Sequence, residues 1–288
     1  MANAEQTPRS RHLKCLGPHG FHRLHYLEWG DPGSPEVVVC AHGLTRNAHD
    51  FDDLAERLGR ERRVLCVDVP GRGGSERLSH PLDYGYPLYC QDLAAVIARA
   101  DVAAVDWVGT SMGGLIGMML AAQPGTPVRR LVLNDVGPFL PAAALQRIAD
   151  YVGRTPDFPD LAALETYLRQ VHAPFGPLSD AQWRRFASHS AVQGEDGRWR
   201  LGYDPAIAEA FRAAPLEDVD LWPVWEAVRC PTLLLRGAES DVLDADTAQE
   251  MTRRGPRATL VEFPGIGHAP ALLAEDQIET VCRWLLQA

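Results

Sequence analysis

The chain has 288 residues, of which 46% are hydrophobic and 23% charged, a balance typical of a globular protein that excludes fibrous and disordered classes. Its 38 acidic residues outnumber 28 lysines and arginines, giving a formal net charge of −10. Such a surface repels phosphate backbones and anionic lipid, so we expect neither nucleic acid nor a membrane as partner. Because the polar start Met1–Arg11 lacks a signal-peptide core and no C-x-x-C pair occurs among six cysteines, we expect reduced thiols and a cytoplasmic protein.

Short apolar runs alternate with longer helical patterns along most of the chain. This alternation predicts an α/β fold with a mostly parallel, doubly wound sheet. The predicted strands cover residues 21–29 (in an antiparallel edge pair), 36–41, 63–68, 104–108, 131–133, 232–235 and 258–261. The predicted helices cover residues 47–60, 88–100, 112–123 and 275–286.

The alternation stops between residues 137 and 222, where we expect no strands and only short amphipathic helices. The pattern predicts a core of residues 1–136 and 223–288, interrupted by a helical cap of residues 137–222. Open α/β sheets bind their ligands at the carboxyl edge of the strands, so we expect this insertion to be a lid. A helical subdomain that only adds stability is the alternative.

The five residues from Gly109 to Gly113, Gly-Thr-Ser-Met-Gly, stand between a predicted strand and a predicted helix. A serine at such a junction occupies a sharp turn that needs small residues two positions before and after it. The turn exposes Ser111 Oγ at a helix N-terminus, where negative charge is favoured. Ser111 is therefore a candidate nucleophile, and a serine that merely caps the helix is the alternative.

A serine nucleophile needs a base and an acid that orients the base. His268 directly follows the last predicted strand and Asp241 follows the strand before it, so all three residues lie at carboxyl ends of strands. Their chain order, serine, acid, histidine, is the order used by this type of sheet. We expect Asp241 to be the acid. Asp135, after the strand at 131–133, is geometrically possible too, and Glu239 and Asp244 are further candidates.

A tetrahedral intermediate also needs two hydrogen-bond donors for its oxyanion. We expect the backbone N–H of Met112, after the nucleophile, and that of Leu44, after His42-Gly43, to supply them. His42 itself is interpreted as a scaffold residue. The stretch Gly71–Ser75, Gly-Arg-Gly-Gly-Ser, lacks the phosphate-loop patterns and is interpreted as a tight turn.

The histidines do not form a set with usable metal spacing. His22 with His25, and His49 with the aspartates that follow it, each lack a second cluster. We therefore expect no metal and no cofactor.

Five landmarks in chain order resemble those of the α/β-hydrolase superfamily, in its lidded esterase-like branch. They are His42-Gly43, Asp68-Val-Pro-Gly-Arg-Gly-Gly-Ser75, Gly109–Gly113, Asp241 and Gly267-His268. The resemblance implies that Ser111 forms an acyl-enzyme, that His268 acts as base and then as acid, and that Asp241 orients it. It implies a carboxylesterase acting on small-molecule esters with small to medium acyl chains.

Several departures from related subclasses favour a plain carboxylesterase. Dehalogenases and epoxide hydrolases carry an aspartate where this chain has Ser111. Carbon–carbon bond hydrolases of ring-fission products usually have Gly-Pro after His-Gly and an aromatic residue after the catalytic histidine, where this chain has Leu44-Thr45-Arg46 and Ala269. Such a carbon–carbon hydrolase, an acyltransferase with the same triad, and a non-enzymatic ligand-binding module stay as alternatives.

Overall fold

The computed structural model describes residues 7–213 and 215–287. The strands are, in chain order, β1 (Arg9–Gly17), β2 (Gly20–Trp29), β3 (Val37–Ala41), β4 (Arg63–Asp68), β5 (Val105–Thr110), β6 (Val128–Asn134), β7 (Phe139–Leu140), β8 (Asp157–Phe158), β9 (Ala191–Gln193), β10 (Trp199–Leu201), β11 (Val219–Asp220), β12 (Thr232–Gly237) and β13 (Thr259–Phe263). The α-helices are α1 (Asp52–Leu58), α2 (Tyr86–Ala100), α3 (Met112–Ala121), α4 (Ala142–Tyr151), α5 (Leu161–Val171), α6 (Asp180–Ser190), α7 (Glu209–Arg212), α8 (Trp222–Ala227), α9 (Ala245–Met251) and α10 (Glu275–Leu286).

Eight of the strands form one sheet in the order β1-β2-β4-β3-β5-β6-β12-β13. Strand β2 pairs antiparallel with β1 and β4, and every other pairing in this sheet is parallel. The prediction of a mostly parallel sheet with an antiparallel edge pair is therefore confirmed. All five residues of β3 are buried, as expected for a central strand covered by helices on both faces.

The two faces of the sheet are covered by two separate apolar cores. Val37 and Val39 contribute to one core and Val38 to the other, because successive side chains of a strand point to opposite faces. Helices α2, α3, α8 and α9 contribute to the first core, and helices α1 and α10 contribute to the second. Thus the helices lie on both faces of the sheet, as the sequence pattern predicts.

The segment between β6 and β12 contains five of the α-helices, α4 to α8, and five short strands. Three of these strands form a small sheet in the order β8-β10-β9, and β11 pairs with β7. The expectation of a segment without strands is therefore wrong. These strands have only two or three residues each, too few for an alternating pattern to be recognised. Helices α5 and α6 enclose their own apolar cluster around Leu164, Leu168 and Trp183.

The six cysteines are all free, and four of them are buried.

Candidate active site

Ser111 lies on a sharp turn between β5 and α3. Its backbone has φ 51° and ψ −115°, a conformation that non-glycine residues adopt only where the surrounding structure holds them there. A Cβ atom on Gly109 would lie 2.3 Å from the carbonyl oxygen of Gly113, and one on Gly113 would lie 1.9 Å from that of Ala41. The turn thus requires glycine at both positions, and it places the Ser111 hydroxyl at the N-terminus of α3.

His268 follows β13 and lies against the serine. Its Nε2 atom is 2.9 Å from Ser111 Oγ, and its Nδ1 atom is 2.7 Å from Asp135 Oδ2. Because a carboxylate only accepts hydrogen bonds, the ring nitrogen that faces it carries the proton. Nδ1–H therefore donates to Asp135, and Nε2 is free to accept the proton of the Ser111 hydroxyl. The structure brings Ser111 and His268 together, as expected from their strand-end positions.

Asp135 directly follows β6 and is fully buried. Its backbone has φ 59°, which turns the carboxylate toward the neighbouring strand end. Oδ1 accepts a hydrogen bond from the backbone N–H of Gly237 at 2.8 Å, and Oδ2 accepts one from the Ser240 hydroxyl at 2.6 Å. Together with the bond from His268, these donors compensate for burying the charge.

Asp241 does not contact His268, contrary to the expectation that it orients the imidazole. Its side chain is 52% exposed and forms an ion pair with Arg147 of α4, whose Nη2 donates to Asp241 Oδ1 at 2.9 Å. The physical reason is the turn after β12. Its Ser240 side chain points inward to Asp135, and Asp241, the next residue, is directed outward to the insertion. The position beside Nδ1 of His268 is occupied by Asp135, the alternative left open by the sequence.

The loop after β3 lies beside the serine, and its peptide groups are firmly held. The backbone N–H of Val69 donates to Nε2 of the buried His42 at 3.0 Å, so the other ring nitrogen, Nδ1, carries the proton and donates to the Gly43 carbonyl at 2.7 Å. In a trans peptide the C=O and the following N–H point in opposite directions. By fixing the Gly43 carbonyl, His42 fixes the direction of the Leu44 N–H. Burial lowers the pKa of His42 to about 4, so this ring stays neutral.

Arg72 is a residue of this site whose importance the sequence did not reveal. It belongs to the turn 71–75, which is a tight turn as predicted, with positive φ at Gly71 and Gly73. The Arg72 side chain is buried beneath the loop after β3, where Nε donates to the Leu44 carbonyl at 2.8 Å. The only signal in the sequence was an arginine among small residues, a pattern that is equally common at the surface.

A cavity of about 310 Å³ extends from Ser111 and His268 to the inserted segment. Its wall is mainly apolar, with Leu44, Phe51, Ile148, Phe175 and Phe186 among the lining residues. Arg46 and Arg147 also line it, and each is paired with an aspartate, Asp50 and Asp241 respectively. The cavity thus combines apolar surface with polar side chains, and its volume suits a small molecule.

Two groups of side chains in the described part of the chain lie close enough to share a metal ion. One is Cys15, His22 and Asp92, all buried, and the other is His49, Asp52 and His189. In both groups a histidine is hydrogen-bonded to the aspartate, at 2.7 Å for His22 and 2.8 Å for His49. Neither group includes Ser111, His268 or Asp135, although His49 and His189 line the cavity.

Within the described residues, no helix is both long enough and apolar enough to cross a membrane.

Comparisons with known proteins agree with this fold. A family model described as the alpha/beta hydrolase fold matches residues 36–274. A 3-hydroxybutyrate-oligomer hydrolase of Cupriavidus necator is 46% identical over 280 residues, covering 94% of this chain and 96% of that protein. An esterase of Mycobacterium tuberculosis is 33% identical over 239 residues, covering 79% of this chain and 74% of that protein.

A solved structure agrees as well. The crystal structure of an alpha/beta hydrolase from Novosphingobium aromaticivorans superimposes with a TM-score of 0.86 at 39% identity, covering 99% of each chain. The resemblance to the α/β-hydrolase superfamily is therefore confirmed. The chain belongs to the alpha/beta hydrolase fold family and is a hydrolase of that fold.

Proposed function

We propose that this protein is a serine hydrolase that cleaves carboxylic esters of short hydroxy acids through an acyl-enzyme. The observation that carries the proposal is the continuous series of hydrogen-bonded side chains from Ser111 through His268 to Asp135, at the wall of the cavity. The substrate class is supported by the likeness to the 3-hydroxybutyrate-oligomer hydrolase over almost the whole chain.

In the proposed mechanism Ser111 Oγ attacks the ester carbonyl while His268 Nε2 takes its proton. The same nitrogen then protonates the leaving alkoxide, and a water molecule activated by His268 releases the acid from the serine. Asp135 keeps the Nδ1 proton in place and stabilises the imidazolium. This assignment gives Asp135 the role that the sequence had favoured for Asp241.

The backbone N–H groups of Leu44 and Met112 are the proposed oxyanion donors. Met112 is the first residue of α3, and the first N–H groups of a helix have no partner within it. The direction of the Leu44 N–H is held by the bond of His42 to the Gly43 carbonyl, and the bond of Arg72 to the Leu44 carbonyl holds the next peptide group of the loop. Losing one donor of this kind typically lowers kcat by about 10²–10³.

The inserted segment is proposed as a cap that supplies the outer wall of the substrate cavity, with the boundaries 137–222 expected from the sequence. Residues of α4, α5 and α6, among them Ile148, Val171 and Phe186, line the cavity. The cap would enclose a small ester close to Ser111 and limit its size. The mechanism uses no cofactor or metal.

The test is hydrolysis of the linear dimer of 3-hydroxybutyrate by the wild-type protein and by Ser111→Ala. We expect the wild type to release monomer and the variant to release none, with unchanged circular dichroism. A fluorophosphonate should add one phosphonyl group to the wild type, at Ser111 by peptide mass spectrometry. Turnover by the variant, or labelling elsewhere, would contradict the assignment.

The same preparation distinguishes the alternatives. Acyl transfer to added alcohol in preference to water would indicate an acyltransferase. Cleavage of a ring-fission dienoate without cleavage of esters would indicate a carbon–carbon hydrolase. Tight binding of the dimer with no product over hours would indicate a binding module.

A further inference from the structure

His172 stands out in the wall of the active-site cavity. It follows α5 and lines the cavity, and its ring packs against Phe175 and Phe186 with centroids 4.6 Å and 5.2 Å away. Among the described residues, its ring nitrogens have no hydrogen-bond partner, whereas the charged neighbour Arg46 is bonded to Asp50 and Ser190. The ring is half-buried, and a phenylalanine would supply the same packing without placing two unpaired polar atoms in the cavity wall.

The imidazole of His172 is neutral in this environment. Burial, and next the positive charge of Arg46, hold its pKa well below the ordinary value. A neutral imidazole has one N–H donor and one acceptor nitrogen. It can therefore hydrogen-bond a hydroxyl group in either sense, but it carries no charge with which to bind a carboxylate.

A small side pocket of about 20 Å³ opens next to His172 and shares residues with the main cavity. Thr45, Arg46, Tyr151, Val171 and His172 line both spaces. The volume corresponds to about one water molecule or one hydroxyl group. Burial raises the pKa of the Tyr151 phenol, so that its hydroxyl stays protonated and available as a second partner.

The side pocket is lined in part by the loop after β3, which also carries a proposed oxyanion donor, and on this basis we assign the pocket to the acyl half of the substrate. Thr45, in its lining, immediately follows Leu44, the proposed donor to the oxyanion. The oxyanion derives from the acyl carbonyl. The third carbon of the acyl group, which carries the hydroxyl, is only two bonds away from that carbonyl carbon.

We infer that His172, assisted by Tyr151, binds the 3-hydroxyl group of the acyl half of the substrate and makes the enzyme prefer 3-hydroxyacyl esters to unsubstituted acyl esters. This inference rests on the proposed function and names the specificity-determining residue within it. A site built to bond a hydroxyl discriminates against the analogue that lacks it, because its polar groups are then buried without partners.

The experiment compares two substrates with the same leaving group: the dimer of 3-hydroxybutyrate, and butyrate esterified to 3-hydroxybutyrate, which lacks only the acyl hydroxyl. The measured quantity is the ratio of their kcat/KM values. In the wild type we expect the hydroxylated substrate to be favoured about fivefold, the value of one hydrogen bond of average strength. His172→Phe keeps an aromatic ring between Phe175 and Phe186 and should bring the ratio close to one.

Two further variants separate recognition from packing. His172→Gln keeps a donor and an acceptor, and it should restore part of the preference. Phe175→Leu alters the same wall without a polar group, so it should change both kcat/KM values by the same factor and leave their ratio at the wild-type value.

The outcomes are distinguishable from failure of the proposed function. Activity of His172→Phe on the butyryl ester shows that the variant is folded. A wild-type ratio near one, or a ratio that His172→Phe leaves unchanged, overturns the inference while the serine hydrolase assignment stands. If neither ester is cleaved, the proposed function fails and the inference fails with it.

Discussion

Replacing each of the two candidate aspartates by asparagine tests which acid serves His268. Asparagine has nearly the volume of aspartate, so Asp135→Asn changes hydrogen bonding and charge with little change in packing. Three donors face the native carboxylate: the Gly237 N–H, the Ser240 hydroxyl and His268 Nδ1–H. An amide offers only one oxygen, so one of its two ends must direct an NH₂ group toward a donor.

The consequence for catalysis follows from the amide's orientation. If NH₂ faces His268, then Nδ1 must become the acceptor, the ring proton moves to Nε2, and the base can no longer accept the Ser111 proton. If NH₂ faces Gly237 instead, two donors oppose each other in a buried site. The first arrangement gives the wrong tautomer, and in a serine protease an equivalent change lowers kcat by about 10⁴. We expect a loss of about 10³–10⁴ in kcat for Asp135→Asn.

Asp241→Asn is the matched control. This carboxylate is half exposed and its partner Arg147 is 45% exposed, so loss of the pair costs at most about 1 kcal/mol of stability. We expect kcat to change less than about threefold, since the side chain does not contact His268 and a factor of three corresponds to under 1 kcal/mol. Hydrolysis of the 3-hydroxybutyrate dimer by both variants, alongside thermal unfolding, measures the effect. A 10³-fold loss in Asp241→Asn with near-normal activity in Asp135→Asn would refute the assignment.

Two further predictions concern stability. Burial lowers the pKa of His42 from 6.5 to about 4. Between these two pH values the unfolded chain binds a proton at this residue that the folded chain does not bind. The free energy of unfolding therefore falls as the pH is lowered through this range. In urea unfolding, this residue should lower the free energy of unfolding by about 2 kcal/mol between about pH 7 and about pH 5. A His42→Gln variant that kept the full pH dependence would show that His42 is not its cause. Gly113→Ala should lower the free energy of unfolding by about 1–3 kcal/mol or more, because its Cβ would lie 1.9 Å from a carbonyl oxygen. In the control Gly85→Ala, the nearest atom outside the adjoining residues is 3.7 Å from the new Cβ. Equal stability of these two alanine variants in thermal unfolding would show that the contact is not limiting.

The central strands of the main sheet were predictable where they consist of uninterrupted buried runs. Every residue of β3, β4 and β12 is buried, and such runs between turn signals leave little choice of structure. The turn at Ser111 was predictable for a different reason, since glycines two residues before and after it are required by contacts of about 2 Å. In both cases the residues concerned are those with the strongest local constraint.

Arg72 shows what the sequence could not reveal. Its role depends on the Leu44 carbonyl, 28 residues away in the chain, which its guanidinium reaches at 2.8 Å. The short strands of the insertion were missed for a related reason, because pairs such as β7 with β11 are stabilised by partners distant in sequence. A contact of this kind is set by the tertiary structure and leaves no periodic pattern along the chain.

The choice between Asp135 and Asp241 shows the same limit inside the site. Strands β6 and β12 are neighbours in the sheet, so the carboxyl ends of both lie near His268, and position alone favours neither acid. The side chains of the turn after β12 decide between the two acids. Ser240 and the Gly237 N–H point inward as donors to Asp135, and a buried carboxylate needs such donors more than an exposed one does. The sequence analysis expected the end of β12 to provide the acid. Instead, the end of β12 provides the donors that allow Asp135 to be buried beside His268.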